Sequence, residues 1–204
     1  MLQSNRSDFP NRNTAAAAVK RLARGCASLL LLSLLIWSVT ASAQSVSGLK
    51  VQDRSHDNDE IDNQLYADYE IFNTGTATVP TAVPLSSLTM RYWFTNENPG
   101  DPLVFACDYA LVSCSNITSK FVVLATPVAL VNTYLEIGFA PAAGMLQPDQ
   151  NSGEIQTRIH HQNYSNFTTT QSYSFISDTS FVYKDTTTVT LYLNGVLVWG
   201  VEPH

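Results

Sequence analysis

Basic residues are scarce in this 204-residue chain, which has 11 Lys and Arg against 17 Asp and Glu. Five of the basic residues and one of the acidic residues fall within positions 1–43, which leaves the remaining chain with a formal net charge of −10. Nucleic acids and anionic membranes are polyanions that bind basic surfaces. The shortage of basic residues therefore argues against both as partners and favours a neutral ligand.

Sequence motifs of catalysis are also missing. The chain has no HExxH, no GxSxG and no glycine-rich phosphate loop, which argues against zinc peptidases, serine hydrolases and nucleotide-binding enzymes. His160 and His161 are adjacent, so a strand would point them to opposite faces and they could not chelate one metal ion. We interpret them as ordinary surface or strand histidines. Because no spacing among the carboxylates selects a glycosidase pair, we predict that the chain is not an enzyme.

The chain lacks an apolar run long enough to span a bilayer. The run from 28 to 39 has about a dozen residues, whereas a membrane span needs ~20. Basic residues precede it and Ala41-Ser42-Ala43 follows it, which is the pattern of a secretory signal peptide. We predict a signal peptide over residues 1–43, with translation starting at Met1 or downstream of it. The mature chain, 44–204, is then secreted and has no membrane segment.

Cysteine is rare as well. Of three cysteines, Cys26 lies in the predicted signal peptide and only Cys107 and Cys114 remain. In an exported protein these two favour a disulfide bond, which would close a short loop and contribute about 2–3 kcal/mol. A metal site is the weaker alternative, because it needs further ligands and no other Cys or His lies close by in sequence.

Residues 44–204 show almost no helix signals and are dominated by Thr, Val, Tyr, Phe and Ser. Several runs alternate with period two, which indicates strands with one face on a core and one in water. The core faces of two such strands are Leu135, Ile137 and Phe139, and Ile155, Thr157 and Ile159. The opposite face of the second strand carries Gln156, Arg158 and His160.

The chain ends with a hairpin signal. Asn194-Gly195 joins two strand-like runs, 188–193 and 196–199, and a type I′ turn needs positive φ at both positions. The hairpin is predicted to project four apolar residues to one face, Leu191, Leu193, Val196 and Val198. Many short strands without helices predict one all-β domain, a β-sandwich or jelly roll.

The candidate binding residues are aromatic and polar. Tyr164 lies in a polar loop, and Gln156 and Arg158 share the solvent face of the strand before it. Asp108 and Tyr109 directly follow a cysteine. Flat rings beside fixed polar groups suit sugars, because C–H faces pack on π faces and hydroxyls take the hydrogen bonds. The alternative is that the two tyrosines are half-buried loop anchors.

Ordered motifs run from about Gly48 to Pro203. They are LKVQ (49–52), IFNTG (71–75), LTMRYWFTNE (88–97), CDYALVSCSNI (107–117), TYLEIGF (133–139), GEIQTRI (153–159), NYSNF (163–167), SYSF (172–175) and YLNGVLVWGVEP (192–203). By these motifs, residues 44–204 resemble carbohydrate-binding module family 3, which occurs in cellulosomal scaffoldins and bacterial cellulases. The resemblance implies a nine-stranded antiparallel β-sandwich with jelly-roll topology. It also implies binding of crystalline cellulose through a flat strip on one sheet.

The same resemblance assigns roles to individual residues. The strip falls on Asp108, Tyr109, Arg158 and Tyr164, its polar anchors on Asn63, Gln156 and Tyr173, and the disulfide on Cys107 and Cys114. Tyr164 stands where the family has a larger indole ring, so less area stacks and affinity should fall. The loop from 107 to 116 is shorter than in scaffoldin modules and lacks one further strip tyrosine.

A structural calcium is the one cofactor that the resemblance implies, and it has no catalytic role. Its ligand positions fall on Thr95, Glu97, Thr168, Gln171 and Ser172. Calcium prefers several anionic or carbonyl oxygens, and this set keeps one carboxylate.

The predicted function is non-catalytic binding of crystalline cellulose or a related β-glucan. We expect a secreted monomer that acts alone or beside a separate cellulase. The alternative is a secreted structural or cell-surface matrix protein, in which the strip binds another glycan or a protein partner.

Overall fold

The computed structural model describes residues 48–54, 58–75, 81–178 and 180–204, so the predicted signal peptide lies outside the described residues. In chain order the strands are β1 (Leu49–Arg54), β2 (Ile61–Asp62), β3 (Gln64–Asn73), β4 (Val83–Pro84), β5 (Leu88–Phe94), β6 (Leu103–Ala110), β7 (Ile117–Val128), β8 (Val131–Phe139), β9 (Met145–Leu146), β10 (Gln150–Asn151), β11 (Ile155–His161), β12 (Phe167–Thr168), β13 (Lys184–Asp185), β14 (Thr190–Leu193) and β15 (Val196–Trp199). Short 3₁₀ turns occupy Leu85–Ser87, Cys114–Asn116, Pro141–Ala143 and Thr169–Gln171. No described segment forms a helix that is both long and apolar enough to cross a membrane.

The longer strands form two antiparallel sheets. The first has the order β13-β1-β3-β11-β6, with β10 beside β3, and the second has the order β15-β14-β5-β8-β7. Within the described residues nine strands have four residues or more. The prediction of a nine-stranded, all-β sandwich with jelly-roll topology is therefore confirmed.

The core lies between the two sheets. Val51, Ile71 and Ile155 enter it from the first sheet, and Leu135 and Leu191 enter it from the second. Full burial of one such aliphatic side chain contributes about 1.5–3 kcal/mol. Both predicted core faces, on β8 and on β11, are confirmed as buried.

The terminal hairpin has the predicted turn, since Asn194 and Gly195 have φ of 51° and 79°. Its predicted apolar face is right for Leu191 and Val198, which are buried, and Leu193 is partly buried against the core. Val196 is directly opposite Leu193 and so shares this face, but it is 64% exposed. The ladder shifts register between Leu191 and Tyr192, and Val196 directly follows the turn, where the sheet ends.

Candidate functional site

The outer face of the first sheet carries a row of polar side chains along β11. Gln156 and Arg158 are half-buried on this face, while the intervening Ile155, Thr157 and Ile159 are buried. This is the predicted alternation, because successive side chains of a strand point to opposite faces. Side chains two residues apart are about 6.6–6.8 Å apart along a strand, so the row has a regular spacing.

Arg158 and Asp108 form an ion pair in the middle of this row. The Nε of Arg158 lies 2.9 Å from both carboxylate oxygens of Asp108, and its Nη1 donates to Gln64 Oε1 at 2.8 Å. The two charged side chains are 34% and 37% exposed, so the pair contributes at most about 1 kcal/mol to stability. Its main effect is geometric, because partners on both sides fix the plane of the guanidinium group.

A β-bulge brings Asp108 and Tyr109 onto one face. In the ladder between β6 and β11, Tyr109 is opposite Gln156 and Cys107 is opposite Thr157, so Asp108 is an extra residue. Consecutive residues of a regular strand point to opposite faces, but both of these are exposed. The bulge therefore allows the carboxylate to reach Arg158 while the Tyr109 ring lies beside Gln156.

The predicted disulfide between Cys107 and Cys114 is confirmed, with Cα atoms 5.7 Å apart. It closes the turn that follows β6 and leads into β7. Asp108 and Tyr109 lie inside the closed loop, so the cross-link restrains the segment that carries them. The alternative of a two-thiol metal site is wrong.

Tyr164 lies flat against the first sheet. Its ring stacks on the His160 ring with centroids 4.3 Å apart and planes inclined by 4°. The tyrosine is 49% exposed, so one ring face is covered by the imidazole and the other is open. His160 belongs to the same outward row of β11 as Arg158, which places the Tyr164 ring at the end of that row.

His160 and His161 are strand histidines, which confirms that alternative of the prediction, and neither lies on the surface. They are 9% and 0% exposed, because Tyr164 covers the first and the core covers the second. His161 stacks on Phe167 with centroids 4.2 Å apart. Its ring nitrogens lie 3.0 Å from Ser165 O and from Asn96 Oδ1. His161, which points inward, thus holds the loop. His160, which points outward, supports the Tyr164 ring of that loop.

Two residues of this face, Gln64 and Tyr66, were not among the predicted site residues. Gln64 accepts from Arg158 and donates to the Tyr66 hydroxyl at 2.9 Å, and Tyr66 is opposite Arg158 in the ladder. The period-two pattern of 64–69 could have revealed them, since Gln64 and Tyr66 alternate with the buried Leu65 and Ala67.

The remaining predicted anchors take different places. Gln156 is central to the row, and Asn63 directly precedes Gln64 at the end where Tyr164 lies. Tyr173 donates to the carbonyl of Val201 at 3.1 Å, just beyond β15 of the second sheet. The hydrogen bonding of Tyr173 therefore ties it to the second sheet rather than to the row on β11.

The predicted calcium positions come together where the end of β5 meets β12 and the turn after it. Thr95 Oγ1 donates to Gln171 O at 3.0 Å, and the Thr168 amide donates to Glu97 Oε2 at 2.9 Å. Ser172 Oγ is buried and has no hydrogen-bond partner within the described residues.

This donor set does not fit a structural calcium ion. A calcium ion takes six to eight oxygen ligands with enough negative charge, and the set offers one carboxylate, which already accepts a backbone hydrogen bond. The buried Ser172 hydroxyl adds an oxygen but no charge. The two segments that a metal would join are instead bonded to each other directly. In the part of the chain that the structure describes, no group of three or more His, Cys, Asp or Glu could hold a metal ion.

Comparisons with known proteins agree with this architecture. A family model described as "Cellulose binding domain" matches residues 50–200. Exoglucanase-2 of Thermoclostridium stercorarium is 37% identical over 156 residues, which are 76% of this chain and 16% of that protein. Cellulosomal-scaffolding protein B of Acetivibrio thermocellus is 37% identical over 168 residues, which are 78% of this chain and 20% of that protein. The chain thus spans a fifth or less of these relatives.

A solved structure shows the same fold. The module CBM3b of the major scaffoldin subunit ScaA from Acetivibrio cellulolyticus aligns with a TM-score of 0.69 and 31% identity. The alignment covers 78% of this chain and 99% of that module. Because the family model and this structure match nearly all of the described sandwich, the chain belongs to carbohydrate-binding module family 3, the cellulose-binding domain family.

Proposed function

We propose that this protein is a secreted, non-catalytic module that binds the surface of an insoluble β-glucan, with crystalline cellulose as its preferred ligand. The observation that carries the proposal is the open face of the Tyr164 ring, which lies flat on His160 at the end of the β11 row. A flat ring covers the C–H face of a sugar. The Asp108–Arg158 pair and Gln156 supply the charges and amide that bind its hydroxyls.

The row supports a flat ligand. Gln156 and Arg158 are alternate residues of β11, with Tyr109 beside Gln156 and the Tyr164 ring over His160 at the other end. An extended polysaccharide chain lying along β11 would meet an aromatic ring, an ion pair and a second ring in turn. The names of the relatives, a cellulosomal scaffolding protein and an exoglucanase, agree with this ligand and with export from the cell.

The electrostatics of the same face support a binding role without catalysis. Glycoside hydrolysis needs a carboxylic acid whose pKa is raised. Here the hydrogen bond from Gln156, followed by those from Tyr183 and Arg54, lowers the pKa of Glu154. Asp108 is paired with Arg158, so Glu154 and Asp108, the two carboxylates beside Gln156 and Arg158, are both held by partners within the strip.

Adsorption of the purified protein to microcrystalline cellulose, with chitin and xylan in parallel, tests the proposal. We expect retention on cellulose and a loss of about 1–3 kcal/mol of binding free energy in Tyr164→Ala, the scale of a stacked aromatic ring. Asp108→Ala combined with Tyr164→Ala should abolish retention. Val123→Ala is the matched control, because Val123 is exposed on β7 of the opposite sheet.

Equal retention of the double variant and the wild-type protein would show that the row on β11 is not part of the binding site. Absence of wild-type retention on cellulose would overturn the proposed ligand. Retention on chitin or xylan alone would favour the other predicted role, a surface or matrix protein that binds a different glycan.

A further inference from the structure

A further aromatic ring, Tyr183, lies on the same sheet as the β11 row, beyond Gln156. Tyr183 directly precedes β13, and the ladder between β13 and β1 sets Lys184 opposite Asp53. Tyr183 is therefore level with Arg54, whose guanidinium lies over the tyrosine ring at 4.8 Å from its centroid. The first sheet thus carries an arginine-backed ring on its β1 side.

Hydrogen bonds connect this ring to the row. The Tyr183 hydroxyl donates to Glu154 Oε1 at 3.1 Å, and Glu154 also accepts from Arg54 and from Gln156. Arg54 is bonded in turn to the buried Asp68 at 2.6 Å, which is opposite Gln156 in the ladder. Gln156 is therefore the shared member of the row and of the Tyr183 cluster.

The β11 row and the Tyr183 cluster lie along one continuous series of residues. His160, Arg158, Gln156 and Glu154 are successive alternate residues, and the backbone pairing continues to Glu154 because its carbonyl accepts from Leu111 N at 2.9 Å. At about 3.3 Å per residue this series covers about 20 Å. Tyr164 lies at one end of it, over His160, and Tyr183 lies at the other end, beside Glu154.

Both end rings are supported in the same way. Tyr164 rests on the planar imidazole of His160, and Tyr183 rests on the planar guanidinium of Arg54. Asp178 further anchors the Tyr183 segment, since it lies 2.5 Å from Lys184 Nζ and accepts from Ser180 N at 2.9 Å. A half-buried ring with one face on a planar polar group and a fixed segment behind it is a prepared stacking surface.

We propose that Tyr183 is a third aromatic contact of the binding strip and that it packs against a further sugar ring of the same β-glucan. This inference rests on the proposed function and lengthens the site toward β1. The Arg54–Glu154–Gln156 cluster then both orients the ring and offers polar partners to the sugar hydroxyls.

Adsorption isotherms on microcrystalline cellulose test the inference. Tyr183→Ala should raise the Kd about three- to tenfold, as expected for one stacked ring. Tyr183→Leu should weaken adsorption similarly while still filling the space over Arg54, which guards against a folding defect. Tyr183→Phe keeps the ring and should stay within about twofold of wild type. Phe181→Ala is the matched control, because Phe181 is exposed two residues earlier in the same segment.

The outcomes separate this inference from the proposed function. Wild-type affinity in both Tyr183→Ala and Tyr183→Leu, alongside weakened Tyr164→Ala, would overturn the longer strip and leave the cellulose-binding proposal standing. Equal losses in Phe181→Ala and Tyr183→Ala would also overturn it, since the effect would belong to the segment. If the wild-type protein fails to adsorb, both proposals fall together.

Discussion

Asp53 carries a carboxylate into the space between the two sheets. It lies on β1 with Leu49 and Val51 on the inward face and is only 4% exposed. Burial raises its pKa well above the usual value, against the lowering effect of hydrogen bonds from backbone amides. Charged Asp53 is therefore disfavoured in the folded protein relative to the unfolded chain.

We expect Asp53→Asn to raise the free energy of unfolding by about 1–3 kcal/mol at pH 7. A raised carboxyl pKa gives stability that is complete below the unfolded value of about 3.9 and is lost as pH rises through the folded pKa. The advantage of the variant should consequently shrink toward pH 3. Chemical denaturation of both proteins between pH 3 and 8 measures this difference in the free energy of unfolding.

Asp185→Asn is the control of opposite sign. Hydrogen bonds from Lys50 and Gln52 lower the pKa of Asp185, so this variant should be slightly less stable than wild type at pH 7 and equal to it in acid. A pH-independent difference for Asp53→Asn would contradict the burial argument.

Single residues differ in how well the sequence predicted their place. The half-buried positions of Gln156 and Arg158 followed from alternation, which depends only on the strand period. The orientation of Tyr164 did not follow from the sequence, because its ring lies on His160, four positions earlier. The chain brings the two rings together only through a left-handed turn at Tyr164. Tyr173 was assigned by resemblance alone, and the structure ties its hydroxyl to the second sheet.

The β6 element depends on two local devices, a bulge and a disulfide. The bulge supplies the extra residue, Asp108, and the Cys107–Cys114 bond closes the loop that contains it. A one-residue slip of this segment against β11 would move every side chain to the other face, and the closed loop restrains such a slip. The cross-link therefore supports the geometry of the strip as well as the stability of the fold.

Replacing both Cys107 and Cys114 with serine should lower the free energy of unfolding by about 2–3 kcal/mol, as expected for a loop of this length. It should also weaken adsorption to cellulose, because Asp108 and Tyr109 lose their restraint. Denaturation and adsorption isotherms of the same preparations measure both effects. Reduction of the wild-type protein with dithiothreitol should reproduce both effects. Unchanged adsorption of a variant that is still fully folded would show that the bulge keeps its register without the disulfide.

Elements with strong local signals were predicted well. Predicting the Asn194-Gly195 turn needs only the dihedral preferences of its residues. Predicting the core faces of β8 and β11 needs only the period of a strand. The bulge in β6 was missed, because the residues around Asp108 carry no glycine or other local mark of an extra position. The exposure of Val196 did not follow from the sequence, because a period of two gives the face of a side chain and not where the core ends.

On the scale of the whole molecule, hydrogen bonds join two segments of the sandwich at the place where the family resemblance implied a calcium ion. Thr95 with Gln171, and Glu97 with Thr168, join the end of β5 to the segment after β12. We expect the midpoint of thermal unfolding to change by less than about 1 °C when EDTA replaces calcium, since binding of an ion to the native state alone would raise it.

Glu97→Gln tests the same point from the protein side. It keeps an oxygen acceptor for the Thr168 amide but removes the one carboxylate, so it should leave the unfolding midpoint nearly unchanged in either buffer. A calcium-dependent rise of several degrees in the wild-type protein that disappears in the variant would show that the site binds the ion after all.

The overall fold class was predictable, whereas the arrangement of strands was not. Short alternating runs, turn residues and the absence of helix signals lead to a sandwich on physical grounds. The sheet order β13-β1-β3-β11-β6 depends on long-range pairing that no local pattern specifies. That order is what sets Tyr183 beside the strip, and it explains why the sequence did not single out this residue.

The backbone of Tyr164 is left-handed, with φ of 58°. A residue with a Cβ atom costs roughly 1–2 kcal/mol in this conformation, and glycine or asparagine would occupy it with less strain. Evolution toward heat tolerance alone would therefore remove this tyrosine, as would an engineer who replaced strained residues with consensus turn formers. On the proposed function, stability and cellulose binding favour different residues at this one position. Stabilising changes for an affinity tag derived from this chain therefore belong elsewhere in the sandwich.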